Sequence, residues 1–591
     1  MNPLNTKFKR RGFLGAVGGG CAVISAAAYA NREMPAGTEA RPPISHGVGP
    51  SVKKKNATAG KLMQVTADVL VVGGGMAGVF AAVKAHDSGA RVVLVDKGAV
   101  GRSGQTPFAR GIFRFDEKDG MSKAEYLMKT AEAAEYMNNP AYTELLLDQS
   151  AAVVDELESW GFFEEATYTK AMNKPLKERK IRVIERVMLT HLLEKGGKAA
   201  GAMGLYIDKN ESIAIHARSV ILCTGASGFK PTGWQIGAQT ADGDAMAYRI
   251  GAEISGKEWV DGHGGTNFGL EGKPMITASN TEEIRGMLGV EQNIEVEKNG
   301  PSVGGMMGPP RGGGEKGAHR GPPPGGGESG DRRGPPPDGD KMAGGPGGPP
   351  GGGGHGGPPP GGKGSKGPIV IGGVSAGMSN HKAEGLFPQD DQCSSNIPGL
   401  YAAGDSLCSM QNGGIYTQVG SSLAGSAAQG ALAGKTAARY AATVQASRVT
   451  DEDLNLIRSD MYAPYLRERG FSPRWVTQTM QSVMIPNFIL YVKSKERLQA
   501  ALTYIEYIRD HQVPLLKADD LHELRLCHET ANMVLNAEMK LRASLMRTES
   551  RGSHYREDYP ERNDDEWLCW IKIRQDKNGN METVKHPVPA V

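Results

Sequence analysis

The run Val69-Leu70-Val71-Val72-Gly73-Gly74-Gly75-Met76-Ala77-Gly78, then an alanine-rich stretch, then Arg91-Val92-Val93-Leu94-Val95-Asp96, constrains the fold more than any other part of the chain. It reads as a strand, a glycine turn, a helix and a second strand ending in an acid. Each glycine has a separate task. Gly73 permits the tight turn, Gly75 lets backbone approach a pyrophosphate, and Gly78 lets the helix pack close to the strand. The helix start, with Met76 and Ala77, offers free N–H groups to phosphate, and Asp96 can accept ribose hydroxyls. The pattern predicts a dinucleotide-binding α/β unit.

The chain has 591 residues and a formal charge of +3, enough length for several domains. A near-neutral balance gives no reason to expect nucleic acid as a partner. Of the cysteines, Cys21, Cys223, Cys393, Cys408, Cys527 and Cys569, none forms a CxxC or CxxCH pattern. The spacing argues against an iron–sulfur or haem centre on this chain, and the mature cysteines read as small buried residues. No metal site is expected; His319 and His355 read as solvated loop residues. Lys9-Arg10-Arg11-Gly12-Phe13-Leu14 is a twin-arginine signature, and Ala28-Tyr29-Ala30 offers a cleavage site. The apolar run between them is too short and glycine-rich to span a membrane. These features predict export of an already folded protein to the periplasm or the outer face of a bacterial cytoplasmic membrane, with no span in the mature chain.

The segment from Asn31 to Thr66 reads as a linker, rich in Pro, Lys, Gly and Ser. Helical spacing runs from about Ser122 to Trp160. Strand-like runs recur at Ile181–Ile184, Ala202–Ile207 and Ser219–Cys223. Between about Gly300 and Gly367 the composition collapses to Gly and Pro, which cannot repay its ordering entropy and predicts a disordered loop. Order is expected to return at Pro368–Val374. Ile397–Asp405 then leads to an alanine-rich helix from about Ser422 to Ala442, and helical periodicity fills Thr450–Leu545. The tail is polar and aromatic, with Trp567 and Trp570.

A second dense strand ending in Ala403-Gly404-Asp405 suits an extended FAD better than NAD. There an acid contacts the ribitol, and a helix N-terminus faces the N1/O2 edge of the flavin, where positive charge favours the reduced form. The chain here resembles the flavoprotein subunits of the fumarate reductase/succinate dehydrogenase superfamily. The resemblance rests on the glycine turn with Asp96, Val220–Gly225, Thr240-Ala241-Asp242-Gly243-Asp244, Ile397–Asp405, Gly420-Ser421-Ser422-Leu423 and the string Arg547–Pro560. It covers nearly the whole mature chain. It implies a Rossmann-like α/β FAD-binding domain, an inserted α+β capping domain and a C-terminal helical domain. The implied division is a signal segment 1–30, a linker 31–66, an FAD-binding domain in two parts, 67–250 and 369–445, a cap 251–368, and a helical domain with tail, 446–591. The FAD set it implies is Gly73, Gly75, Met76, Ala77, Gly78, Asp96, Lys97, Arg102, Ser103, Gly104, Thr224, Gly225, Asp242, Gly404, Asp405, Ser421, Ser422 and Leu423.

Two departures matter. Family enzymes with covalent FAD use a His in an S-H-T string, whereas Arg102-Ser103-Gly104-Gln105-Thr106 has none, implying non-covalent FAD. The Arg-Ser-Gly form, like the tail through Trp570, is more similar to the alpha subunit of dissimilatory adenylylsulfate reductase. Family fumarate reductases also hold substrate carboxylates with two His and an Arg, and use another Arg as proton donor. Thr417 stands in the place of the holding Arg, and Pro368 near that of one His. His263 and Arg285 match the remaining His and the proton donor, and Tyr416 and Thr417 are expected near the flavin. The resemblance implies an oxidoreductase acting on a small-molecule substrate, with a separate iron–sulfur or cytochrome protein as electron partner. Succinate/fumarate-type chemistry, adenylylsulfate-type chemistry, and a flavin electron carrier without its own substrate stay open as alternatives. The ion-rich Glu549–Pro560 string reads as a docking turn for the C-terminal helices.

Overall fold

A computed structural model describes residues 59–109, 112–162, 167–230, 237–260, 379–414 and 420–589. The proposed signal segment, the Gly/Pro run, Pro368–Val374 and all four catalytic candidates lie outside them.

Strand β1 (Lys61–Val72) sits at the centre of the main sheet. Its first half alternates between buried and exposed positions, and Val69–Val72 are buried on both faces. That change marks a strand passing from a half-open edge into a doubly covered parallel core. It pairs in parallel with β2 (Val92–Val95) on one side, Val69 opposite Val92. On the other side it pairs in parallel with β6 (Glu211–Leu222), Val72 opposite Leu222. β3 (Arg182–Ile184) extends the parallel order beyond β2, and β9 (Leu400–Ala402) pairs in parallel with the end of β6. β4 (Val187–Lys195) and β5 (Lys198–Tyr206) form a hairpin whose second strand pairs antiparallel with the first half of β6. Gly196 and Gly197 close it, both at positive φ (64° and 75°), as a primed two-residue turn requires.

The helix Met76–Asp87 packs against the helix Ser421–Thr443 with very little separation. A Cβ at Gly430 would sit 2.2 Å from the Ala77 carbonyl oxygen, and one at Gly434 2.4 Å from that of Ala81. Small residues one turn apart therefore let the two backbones touch. The helices Asp451–Leu466, Pro473–Met484, Lys495–His511 and Leu521–Met546 build a second apolar core from Leu454, Met461, Val476, Met480, Leu498, Ile505, Met533 and Leu541.

The structure corrects the sequence reading in three places. The dinucleotide unit begins at Lys61 rather than Ala67, because Lys61–Ala67 pair along β6. The stretch 122–160 forms two helices, Lys123–Ala133 and Pro140–Ser159, separated by Glu135 and Tyr136 at φ 50° and 60°. The tail is a hairpin, β12 (Cys569–Gln575) with β13 (Met581–Pro587), joined to β7 (Ile254–Ser255) and β8 (Gly385–Leu386) in a four-stranded sheet. β10 (Val492–Lys493) pairs in parallel with β11 (Tyr555–Arg556). Among the described residues, no helix is long and apolar enough to cross a membrane.

Candidate functional site

The expected cofactor residues gather at the C-terminal ends of parallel strands. Gly73 follows β1, Asp96 follows β2, Thr224 follows β6, and Gly404 and Asp405 follow β9. Open α/β sheets bind ligands in the crevice at that edge.

The glycine turn stands at this edge. Gly73 takes φ 108°, and a Cβ there would lie 2.1 Å from the Cys223 carbonyl oxygen. A Cβ at Gly78 would lie 1.8 Å from the Gly73 carbonyl oxygen. Gly75 differs: the nearest atom to an added Cβ is Thr106 Oγ1, at 3.4 Å. Gly73 and Gly78 thus serve the fold, while Gly75 borders open space. Asp96 is buried and ties the turn together. One carboxylate oxygen accepts the Gly74 N–H at 2.6 Å; the other accepts the Gly98 N–H at 2.6 Å and the Ser103 hydroxyl at 2.9 Å. Thr106 Oγ1 accepts the Met76 N–H at 3.1 Å. Gly104, at φ 75°, has nothing within 4 Å of an added Cβ, and Arg102 is exposed.

Lys97 and Asp242 serve protein contacts. The Lys97 ammonium donates to Asp242 at 2.7 Å, to Glu529 at 2.9 Å and to the Ala238 carbonyl at 2.8 Å. Asp242 also accepts from Asn532 at 2.8 Å. These bonds fasten the turn after β2 to the helix Leu521–Met546.

Beside the glycine turn, at the end of β9, Gly404 is at φ 71°, with an added Cβ meeting Ala77 Cβ at 2.9 Å. Ser406 Oγ lies 3.0 Å from Thr224 Oγ1 and accepts the Gly225 N–H at 3.0 Å, joining the ends of β6 and β9. Asp405 is met by His381 Nδ1 at 2.8 Å, by the Lys382 ammonium, and by the Ser422 hydroxyl at 3.3 Å. Burial works against charge on Asp405, but Lys382 and His381 outweigh it and hold the carboxyl well below its usual range. Burial likewise draws Lys382 below the ordinary lysine value, with Asp405 opposing. Ser421 Oγ accepts from Asn412 at 3.0 Å, and Leu423 is buried.

These features fit an FAD. The residues that start the helices Met76–Asp87, Asp242–Arg249 and Ser421–Thr443 are Gly75, Ala241 and Gly420, which supply no side-chain cap, as suits helix ends that face an anion. Three buried acceptors, Gln239 Oε1, Asn380 Oδ1 and Asn412 Oδ1, have no partner among the described residues. A ligand with N–H and hydroxyl donors would satisfy such groups. Sequence reasoning missed Thr106, His381, Lys382, Ser406 and Asn412. Ser406 directly follows Asp405, which was its one signal; His381 and Lys382 belong to no motif.

The string Arg547–Pro560 is an ion-paired turn. Arg547 donates to Glu258 at 3.0 Å and Glu549 at 2.7 Å, and Arg551 grips Glu549 at 2.8 Å. Lys493 is buried against His554 Nδ1 at 2.9 Å and the Glu258 carbonyl at 2.8 Å. Ser553 Oγ donates to the Gly414 carbonyl at 2.6 Å and accepts the Val260 N–H at 3.2 Å. Val260 and Gly414 are the last described residues before His263 and before Tyr416 and Thr417. The turn thus fixes where the chain leaves for both candidate stretches.

Two family sequence models match, one described as an FAD binding domain over residues 68–174, the other as the fumarate reductase flavoprotein C-term over 477–590. An uncharacterised FAD-dependent oxidoreductase of Methanocaldococcus jannaschii is 25% identical over 561 residues, 86% of this chain and 96% of the relative. One subunit of the CoM/CoB fumarate reductase of Methanothermobacter marburgensis is 25% identical over 546 residues, 84% and 94% respectively. The fold matches that of a point variant of the Escherichia coli quinol fumarate reductase (TM-score 0.66, 16% identity, 90% of this chain and 98% of that one). It also matches adenylylsulfate reductase from Archaeoglobus fulgidus (TM-score 0.64, 18% identity, 92% and 98%).

Proposed function

Because the chain is an FAD-dependent oxidoreductase of the fumarate reductase/succinate dehydrogenase flavoprotein family, we propose that it works as an exported reductase. In this reading it holds FAD without a covalent bond and delivers electrons from a separate iron–sulfur or cytochrome protein to a small organic acceptor. The observation that carries the reading is the sheet edge where Gly75 and Asp96, after β1 and β2, stand with Asp405, after β9, and the Ser421–Thr443 helix. Bound flavin supplies hydride transfer from N5.

The chain's own residues hold and orient. The start of the Met76 helix would take the pyrophosphate, Asp96 the ribose hydroxyls, and Asp405 the ribitol. The Ser421 helix end would face the N1/O2 edge. Gly104, where covalent relatives carry a His, offers no nitrogen for a bond to the flavin. Arg285 is the candidate proton donor, with His263 and Tyr416 orienting the acceptor. Thr417 cannot clamp a carboxylate as a guanidinium does, which favours an acceptor with fewer carboxylates than fumarate. The twin arginines Arg10 and Arg11 support export. The Methanothermobacter relative is named as one subunit of its enzyme, which agrees with a chain that works beside a partner.

The test uses purified, chemically reduced holoenzyme under anaerobic conditions with a panel of small organic acceptors. Reoxidation by at least one supports the reductase. Reoxidation only by redox proteins makes the chain an electron carrier. Acid precipitation should leave all flavin in the supernatant; flavin in the pellet would overturn the non-covalent reading. Arg10→Lys with Arg11→Lys should keep the protein out of the periplasmic fraction.

A further inference from the structure

Lys382 is buried, with a side chain 1% exposed. Its ammonium donates to Asp405, to Ser422 Oγ at 3.2 Å and to Ser426 Oγ at 2.8 Å. Ser422 and Ser426 lie one turn apart on a single face of the Ser421–Thr443 helix. The ammonium therefore rests beside the positive end of that helix, the end at which a cation is least favoured. The backbone is also held against preference: Lys382 has φ 65°, and its carbonyl is fixed by the Met410 N–H at 2.7 Å. Such a conformation persists only where the surroundings over-determine it. Asp405 faces the Lys382 ammonium and also accepts from Ser422 at the helix start. The buried ammonium is thus held by one carboxylate and two neutral hydroxyls, with its charge fixed beside the helix end.

We propose that Lys382 is a positioning residue that adds a fixed positive charge beside the N1–O2 edge of the flavin, stabilising the negative charge this edge gains on reduction and so raising the flavin's reduction potential. Asp405 holds the ammonium in place and moderates its charge. The proposal rests on the placement of the Ser421 helix beside that edge in the function proposed above. Charge near the flavin's N1 is one of the levers by which a protein tunes its electronics.

The experiment compares holoenzyme carrying Lys382→Gln with wild type by anaerobic spectroelectrochemical titration, reading the midpoint potential and the absorption spectrum of the reduced flavin. The expected result is at least a tenfold shift of the ratio toward oxidised flavin at fixed potential, about 30 mV downward for a two-electron couple. The reduced spectrum should move toward the protonated form. A flavin-loaded Lys382→Gln protein with unchanged potential and spectrum overturns the proposal and leaves the FAD reading standing. A wild-type protein that binds no flavin would instead overturn the reading beneath it. Should Lys382→Gln lose its flavin, Lys382→Arg decides. Retention of flavin near the wild-type potential supports a role for charge; loss of flavin there too makes the lysine a packing element and overturns the proposal.

Discussion

Glu529 is the clearest place to test how the C-terminal helices hold the cofactor end of the sheet. Its side chain has no exposed surface. Its carboxylate accepts from Lys97 at 2.9 Å, from Arg525 at 3.4 Å and from the Lys230 ammonium. Burial pushes its pKa up, but Lys97, Lys230 and Arg525 outweigh burial and hold it at about 2. An exposed glutamate titrates near 4.3, and at 1.36 kcal/mol per pH unit the gap contributes about 3 kcal/mol to folding. The folded pKa is depressed, so this contribution is present above about pH 4.3 and fades as pH falls toward 2. The cations share the carboxylate unevenly. Burial alone would lower Lys97, yet Asp242 and Glu529 together raise it; for Lys230 burial wins over Glu529. Glu529→Gln should therefore lower stability by about 3 kcal/mol at pH 7, in line with breaking a buried pair from one side. Urea unfolding at pH 7, 5 and 4 would measure it, with midpoint and m-value compared at each pH. The gap should hold from pH 7 to 5 and begin to narrow at pH 4. A loss below about 1 kcal/mol at pH 7, or a gap that widens toward acid, would refute the argument.

Three further outcomes follow from the site. Gly75→Val should fold, since the nearest protein atom to an added Cβ is Thr106 Oγ1 at 3.4 Å, but should lose its flavin absorbance; Gly78→Ala should destabilise the fold itself, because its Cβ would meet the Gly73 carbonyl oxygen at 1.8 Å. Equal flavin loss and equal melting temperatures in the two variants would contradict the division of labour. Ser553→Ala removes the acceptor of the Val260 N–H and leaves the Gly414 carbonyl with only the Ser553 N–H at 3.3 Å. It should cost about 2 kcal/mol and lower acceptor turnover while flavin content stays at the wild-type level; unchanged turnover would disconnect this turn from the substrate side. Thr417→Arg should restore a bidentate carboxylate clamp and speed reoxidation by fumarate at least tenfold, about 1.4 kcal/mol, and no gain would place Thr417 away from the acceptor.

The features legible in the sequence are those whose causes are local. The glycine turn, Asp96 and the alanine-rich helix after Gly420 each follow from a strand, a turn chemistry and a helix period within a few residues. The tail hairpin also has local signals, although the sequence reading does not include a hairpin there. Ile571 and Ile573 alternate with polar residues before Asn578-Gly579, where Gly579 takes φ 79° and Asp576 accepts the Asn578 and Asn580 N–H groups at 2.8 Å. The polar composition of the tail concealed it. The break near Glu135 had no local cause upstream of Asn139-Pro140. Arg551 Nη1 donates to the Glu135 carbonyl at 2.9 Å and Trp570 Nε1 to the Met137 carbonyl at 2.9 Å. Partners more than 400 positions away take carbonyls that a continuous helix would have used for itself.

The same long-range logic separates two kinds of charged residue that look alike in a string of letters. Arg547, Arg551 and Arg556 are fully buried, and each has carboxylate or carbonyl partners from the chain around it. Their charges are used up in holding Glu258, Glu549 and Asp558, so this ion-rich string has a docking task. Lys382 has the same burial but a different balance. Its one carboxylate partner is shared with His381, and its other two partners are the neutral hydroxyls of Ser422 and Ser426 at a helix start. A buried cation held by one carboxylate and two neutral hydroxyls at a helix start keeps its charge close to that helix end, whereas a buried arginine gripped on several sides spends its charge on the fold. Residue type gives no hint of that difference, because it lies in how many partners the fold brings to each side chain.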